Sequence, residues 1–204
     1  MSDAKLKIAS VAKNLRLCVI ENSIFIEELA SSILGNILNI EWKKSKSFGH
    51  TSASLSFNQK LQLIQDIKGI EKEDLKKLNC LAQIRNKFAH VSEIDTFEKL
   101  FLESSVGKEI RNHFLKWFFD KSGESDIHPS KLEIVYRYCY YMLVDDVINI
   151  LLEINKTHYY NLGIEEGKRE FSDKLIDSLI RTLISQKQYL VVVKAMEEAK
   201  STTN

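Results

Sequence analysis

One proline and seven glycines in 204 residues leave this chain few points at which a helix must stop. Proline removes a backbone donor and glycine is too permissive, so their scarcity favours long helices. The apolar spacing agrees. Leu15, Val19, Ile26, Leu29, Ile33 and Ile37 recur at helical intervals and predict a first helix from Lys5 to Asn39. No period-2 strand pattern, internal repeat or low-complexity tract interrupts the chain. These features predict an all-α fold, an antiparallel helical bundle of about five to seven helices with short loops. A single domain over 1–204 is expected, with its core at about 5–155 and a C-terminal helix at about 172–199 packed on it.

The breaks are marked by local chemistry. "EWKKSKSFGHTSAS" at 41–54 reads as a Lys/Ser/Gly-rich connection. Ser56 and Gln59 have the S-x-x-Q spacing of a capping box opening the next helix, and Gly69 supplies a left-handed residue to end it. Acids in "EKED" at 71–74 suit the first turn of a helix that runs to about His90. One further helix is expected over 96–120. "DKSGESDIHPS" at 120–130 reads as a loop. Ser130 and Glu133 form a second S-x-x-E box starting a helix to about Ile154. "NKTHYYNLGIEEGKRE" reads as a turn-rich connector. In the last helix Leu175, Leu179 and Leu183 make one ridge, with Ile176, Ile180 and Ile184 beside it. "YLVVV" at 189–193 has strand propensity but nothing nearby to pair with, so helix is the expectation there.

Bulk charge excludes one class of function. Lys+Arg 29 against Asp+Glu 28 leaves a formal charge of +1, unlike a protein that coats duplex DNA through a basic face. A small local cationic site remains open. Cys18, Cys80 and Cys139 are scattered with no CxxC pair, which reads as reduced thiols in a cytoplasmic protein. The first residues lack the apolar run of a signal peptide, and no stretch is long enough to span a bilayer. His50, His113, His128 and His158 share no ligand spacing. No metal, cofactor or membrane association is therefore expected.

The segment "LNCLAQIRNKFAHVSE", residues 78–93, carries the functional argument. Leu81, Ile84 and Phe88 fall within about 60° of one another on a helical wheel and form a core stripe. Arg85 lies about 40° from Leu81, on the margin of that face. A guanidinium there keeps its charge and needs an acidic partner or an anionic ligand. Asn86 and His90 are i, i+4 neighbours on the outer face. A fixed cation, an amide and a titratable imidazole at one helix end suit phosphodiester chemistry. The imidazole moves a proton near neutral pH, and the guanidinium holds a phosphate and stabilises charge developing on it. Arg85 and His90 are nevertheless about 140° apart on an ideal helix. Their convergence requires fraying near Ala89, a curled arginine or a second subunit.

The string "IRNKFAH" closing a helix of a small bundle resembles the HEPN superfamily (higher eukaryotes and prokaryotes nucleotide-binding domains), whose signature is R-x(4–6)-H. Arg85, Asn86 and His90 match it at the four-residue spacing. Residues 55–90 are also similar to bacterial proteins grouped with the mannitol-operon repressor family, which share a helix, a Gly-containing turn and a second helix ending in R-N-x-F-A-H. The resemblance covers about 35 residues of the 204. It implies a helical bundle that dimerises with the R-x4-H helices face to face, and a metal-independent endoribonuclease of toxin–antitoxin or phage-defence type. Carried over, Arg85 would hold the scissile phosphate, His90 would handle a proton and Asn86 would orient. RNA would be the substrate and a cognate antitoxin or regulatory protein a partner. Other members are non-catalytic, and a helical regulator or immunity-type binding protein is the alternative.

Plainer uses of the same residues compete. Arg85 can pair with an internal acid while His90 caps the last carbonyls of its helix. Tyr136, Tyr138, Tyr140 and Tyr141 can stack on bases, but Tyr136 and Tyr140 at i, i+4, continued by Leu143 and Val147, fit a core face better. The lysines of "KKSKSFGH" at 43–50 fit an ordinary exposed loop. Asp145 and Asp146 read as solvated charges.

Overall fold

A computed structural model describes residues 14–49, 51–119 and 128–185. Among them are six α-helices and no strand, so the chain is all-α as expected. The chain divides into two compact units, 1–155 and 156–204. The expectations for residues 5–13, for His50, for the loop at 120–127 and for "YLVVV" lie outside the described residues.

In the first unit, α1 spans Leu15–Leu38. It starts ten residues later than the apolar spacing suggested, because Asn14 is extended and its side chain accepts from the Leu17 amide at 3.1 Å. That bond satisfies one of the orphan donors of the first turn. A 3₁₀ turn at Trp42–Lys44 follows. Helix α2 spans Phe57–Lys68 behind the expected capping box, Ser56 and Gln59 bonding reciprocally, and Gly69 ends it at φ 67°. Helix α3 spans Lys72–His90 with Glu73 and Asp74 in its first turn.

Two boundaries differ from the sequence reading. The single helix over 96–120 is two helices, α4 at Phe97–Glu103 and α5 at Ser105–Phe118. The chain is extended at Ser104, whose hydroxyl accepts from the Gly107 amide at 3.1 Å and so caps α5. Gly107 lies directly against the Leu100 carbonyl, where no Cβ fits, which lets α5 pack closely on α4. Conversely, the connector after Ile154 is helical, and α6 runs without a break from Leu132 to Ser185. No proline falls in that span, and glycine costs an exposed helix only about 1 kcal/mol.

The start of α6 also differs. His128, not Ser130, caps the 3₁₀ turn Pro129–Lys131 that precedes it. Glu133 is therefore released from the expected box, and its Oε2 accepts from the amides of Phe97 and Glu98 at 3.0 and 3.2 Å. The carboxylate thus caps α4 from across the fold. The core of this unit is aromatic. The Phe97 ring centroid lies 5.5 Å from Phe88, 5.7 Å from Phe114 and 5.7 Å from Tyr140. Tyr136, Tyr140, Leu143 and Val147 are all buried, so the tyrosine face is core. Asp146 is not a free solvated charge, since Lys77 of α3 meets it at 2.7 Å, both side chains being half-buried.

In the second unit, every residue of α6 from 159 to 179 is exposed. Bonds within the helix support it, Lys168 to Glu165 at 3.5 Å and Lys174 to Glu170 at 2.7 Å. Phe171 is 70% exposed, so this surface is apolar as well as charged. No helix among the described residues is long and apolar enough to cross a membrane.

Candidate functional site

The candidate site lies at the C-terminal end of α3, where the core stripe fixes the rotation of the helix. Leu78, Leu81, Ile84 and Phe88 are completely buried, and Cys80 and Ala82 widen the buried arc. With that face pinned, Arg85 is half-buried on its margin, Asn86 is half-buried and His90 is exposed. This placement follows the wheel.

Arg85 has no acidic partner among the described residues. Its Nη1 donates to Asn86 Oδ1 at 3.1 Å. A half-buried guanidinium with most of its five donors unfilled is poised to accept an anion, and the bond to Asn86 fixes its direction. Asn86 therefore orients the arginine, while its amino group meets no acceptor among the described residues. The His90 ring makes no hydrogen bond to the described residues, so it does not cap its own helix. The internal ion pair and the histidine cap of the plainer reading are both absent among these residues.

The helix does not fray near Ala89, because α3 is regular to His90 and the Val91 amide still bonds the Lys87 carbonyl at 3.1 Å. The backbone positions of Arg85 and His90 thus keep the wide angular separation of a regular helix, while the arginine side chain turns toward Asn86, on the face that Asn86 shares with His90.

A residue the motif did not reveal holds this end in place. Arg16, in the first turn of α1, donates through Nη2 to the carbonyls of Val91, Ser92 and Ile94 at 2.8, 2.7 and 2.7 Å. It ties the chain leaving His90 to another helix across 75 or more positions. The two hydrogens of Nη2 are shared among three carbonyls, and the charge on the donor strengthens the contacts that tether the turn. Nothing local to Arg16 signals this, since its partners are backbone atoms that any residue supplies. The acids beside the turn also sit in a cationic field. Glu93 is held below the usual carboxylate range by its bond to Ser92, with Arg16 contributing, and Asp95 by its bond to Lys99.

The other described histidines lie elsewhere. His113 stacks on Trp117 at 4.7 Å between centroids, its Nδ1 buried without a hydrogen-bond partner among the described residues; His128 bonds the Ser130 hydroxyl at 2.8 Å; and His158 is buried beside Tyr159. No group of three or more His, Cys, Asp or Glu side chains able to hold a metal occurs among the described residues.

Comparison with known proteins adds no relative: no family model, curated protein or solved structure matches the chain.

Proposed function

We propose that the protein is a cytoplasmic, metal-independent endoribonuclease of HEPN type, acting as a homodimer in a toxin–antitoxin or phage-defence setting. The observation that supports this reading is the half-buried Arg85 guanidinium, oriented by Asn86 at 3.1 Å and lacking a carboxylate partner among the described residues. A permanent cation left open on a helix margin suits a phosphodiester.

In the proposed reaction, His90 takes the proton of a ribose 2′-hydroxyl. The oxygen attacks the adjacent phosphorus as the bond to the 5′ oxygen breaks. The leaving oxygen takes a proton from water, giving a 2′,3′-cyclic phosphate and a 5′-hydroxyl end, and His90 returns its proton to solvent. Arg85 neutralises the charge that builds on the phosphoryl oxygens, a contribution that grows in the transition state. In the proposed homodimer, the working site pairs Arg85 of one copy with His90 of a second.

The second reading, a non-catalytic helical regulator or antitoxin-type binding protein similar to the mannitol-repressor group, is favoured by the net charge of +1 and by the exposed apolar side chains of residues 159–179. Expression of wild type, Arg85→Ala and His90→Ala decides between them. Growth arrest with RNA ending in cyclic phosphates, lost in both variants while far-UV circular dichroism is unchanged, supports cleavage. Wild type that leaves RNA intact in the absence of any partner returns the protein to the regulator class.

A further inference from the structure

A second surface of the first unit is distinct from the α3 site. A pocket of about 520 Å³ opens between α4, α5 and the start of α6. Phe101 and Tyr136 are buried rings that meet edge to face at 4.8 Å, and with half-buried Leu132 they give the pocket an apolar lining. Leu102 stands in the same wall, 82% exposed, the most exposed large apolar side chain among the described residues. One leucine in water is ordinary, but here it projects beside an open apolar pocket.

Each wall of the pocket adds one open charge. Glu98 on α4 and Lys108 on α5 both line it, and both are exposed. Neither side chain makes a hydrogen bond or ion pair among the described residues, so they do not meet each other. Arg111 and Tyr136 have interactions of their own, and Asn112 carries no charge. The lining thus holds one carboxylate and one ammonium on different helices, with apolar side chains between them.

Such a patch matches itself after a half-turn. In an isologous contact the same surface is used by both subunits, so it must be self-complementary. A purely acidic partner would set like charge against Glu98, and a purely basic one would do so against Lys108. We propose that this surface is a contact between two copies of the chain. With the two-fold axis along the pocket, Leu102 of each copy enters the pocket of the other. Glu98 of each copy then meets Lys108 of the other, and two ion pairs rim an apolar centre. The inference names a surface for the homodimer proposed above, yet association is read without RNA, so an inactive ribonuclease leaves it standing.

Sedimentation velocity of the full chain without RNA gives the dimer Kd, which should be micromolar or tighter for wild type. Leu102→Gln should weaken association at least about tenfold, since two leucines leave the interface. Glu98→Lys sets like charges together at both ends and should weaken it as much, as should Lys108→Glu. All three positions are exposed, so each variant should keep the far-UV circular dichroism of wild type. A mixture of Glu98→Lys with Lys108→Glu restores opposite charges at both ends. It should form a heterodimer within about threefold of the wild-type Kd, although each chain alone associates weakly. A wild type still monomeric at about 100 µM would overturn the proposal and leave the pocket to a small ligand or another protein. A dimer indifferent to Leu102→Gln, or charge reversals that associate no better mixed than alone, would overturn it equally and move the homodimer contact to another surface.

Discussion

Glu133→Ala and Glu133→Gln should separate two things that one carboxylate does. Helix α4 is only seven residues long, and two side chains supply acceptors to its early amides. Thr96 Oγ1 takes the Lys99 amide at 3.2 Å, and Glu133 takes those of Phe97 and Glu98. In Glu133→Ala the Glu98 amide is exposed and turns to water, whereas the Phe97 amide is partly buried and stays unpaired. An orphaned buried donor costs about 1–3 kcal/mol, and loss of the i, i+4 pair with Arg137 adds about 0.3–0.5. Alanine should therefore cost about 2 kcal/mol.

Glutamine should cost much less. It keeps an acceptor for the Phe97 amide and removes a charge whose burial pushes the carboxyl upward, against the pull of Arg137 and the two amides. The folded pKa is raised, so the contribution of the protonated form is complete below the unfolded pKa and is lost as pH rises through the folded value. Wild type should accordingly lose stability relative to Glu133→Gln as pH climbs through the carboxylate range. Urea unfolding followed by circular dichroism, with an unchanged m-value, measures both effects. A cost under about 0.5 kcal/mol for alanine, or glutamine as damaging as alanine, would refute the capping argument.

Two further outcomes follow from charged groups around α3. Glu73 is held down from 4.5 to about 2 by its bonds to Lys76 and Lys116. A depressed pKa gives stability that is present above the unfolded value and lost as pH falls, so Glu73→Gln should flatten acid unfolding between pH 4.5 and about 2 in low salt. Arg16→Met should leave the helices intact but accelerate amide hydrogen exchange in the 91–94 turn, since three carbonyls lose one shared donor. Exchange there at the wild-type rate would show that Arg16 does not order the turn.

The elements that were legible in the chain were those with a local cause. The Ser56–Gln59 box, Gly69, the acids at the start of α3 and the core tyrosines all act within a few residues of themselves. Misreadings arose where distant groups competed for the same atoms. Ser130 and Glu133 have good capping spacing, yet Glu133 bonds the start of α4, 35 or more positions away. The break at Ser104 rests on the fit of Gly107 against Leu100, which a one-dimensional pattern does not contain. The polar run after Ile154 looked like a connector, but without proline nothing obliges the helix to stop. At the candidate site, the wheel gave the exposure of Arg85, Asn86 and His90, while Arg16 was invisible because its acceptors are backbone carbonyls.

Regularity of α3 through His90 turns the angular separation of Arg85 and His90 into a test of subunit stoichiometry. A site completed across an isologous two-fold interface needs one arginine and one histidine from different chains. Arg85→Ala and His90→Ala homodimers should then each be inactive. Mixing and re-equilibrating the two in equal amounts should restore about a quarter of the wild-type rate, because half the dimers are mixed and each carries one intact site of two. A site confined to one chain would instead show no recovery, since no chain in the mixture contains both groups. A recovered rate whose cleavage ends match those of wild type would assign the arginine and the histidine of one site to different chains.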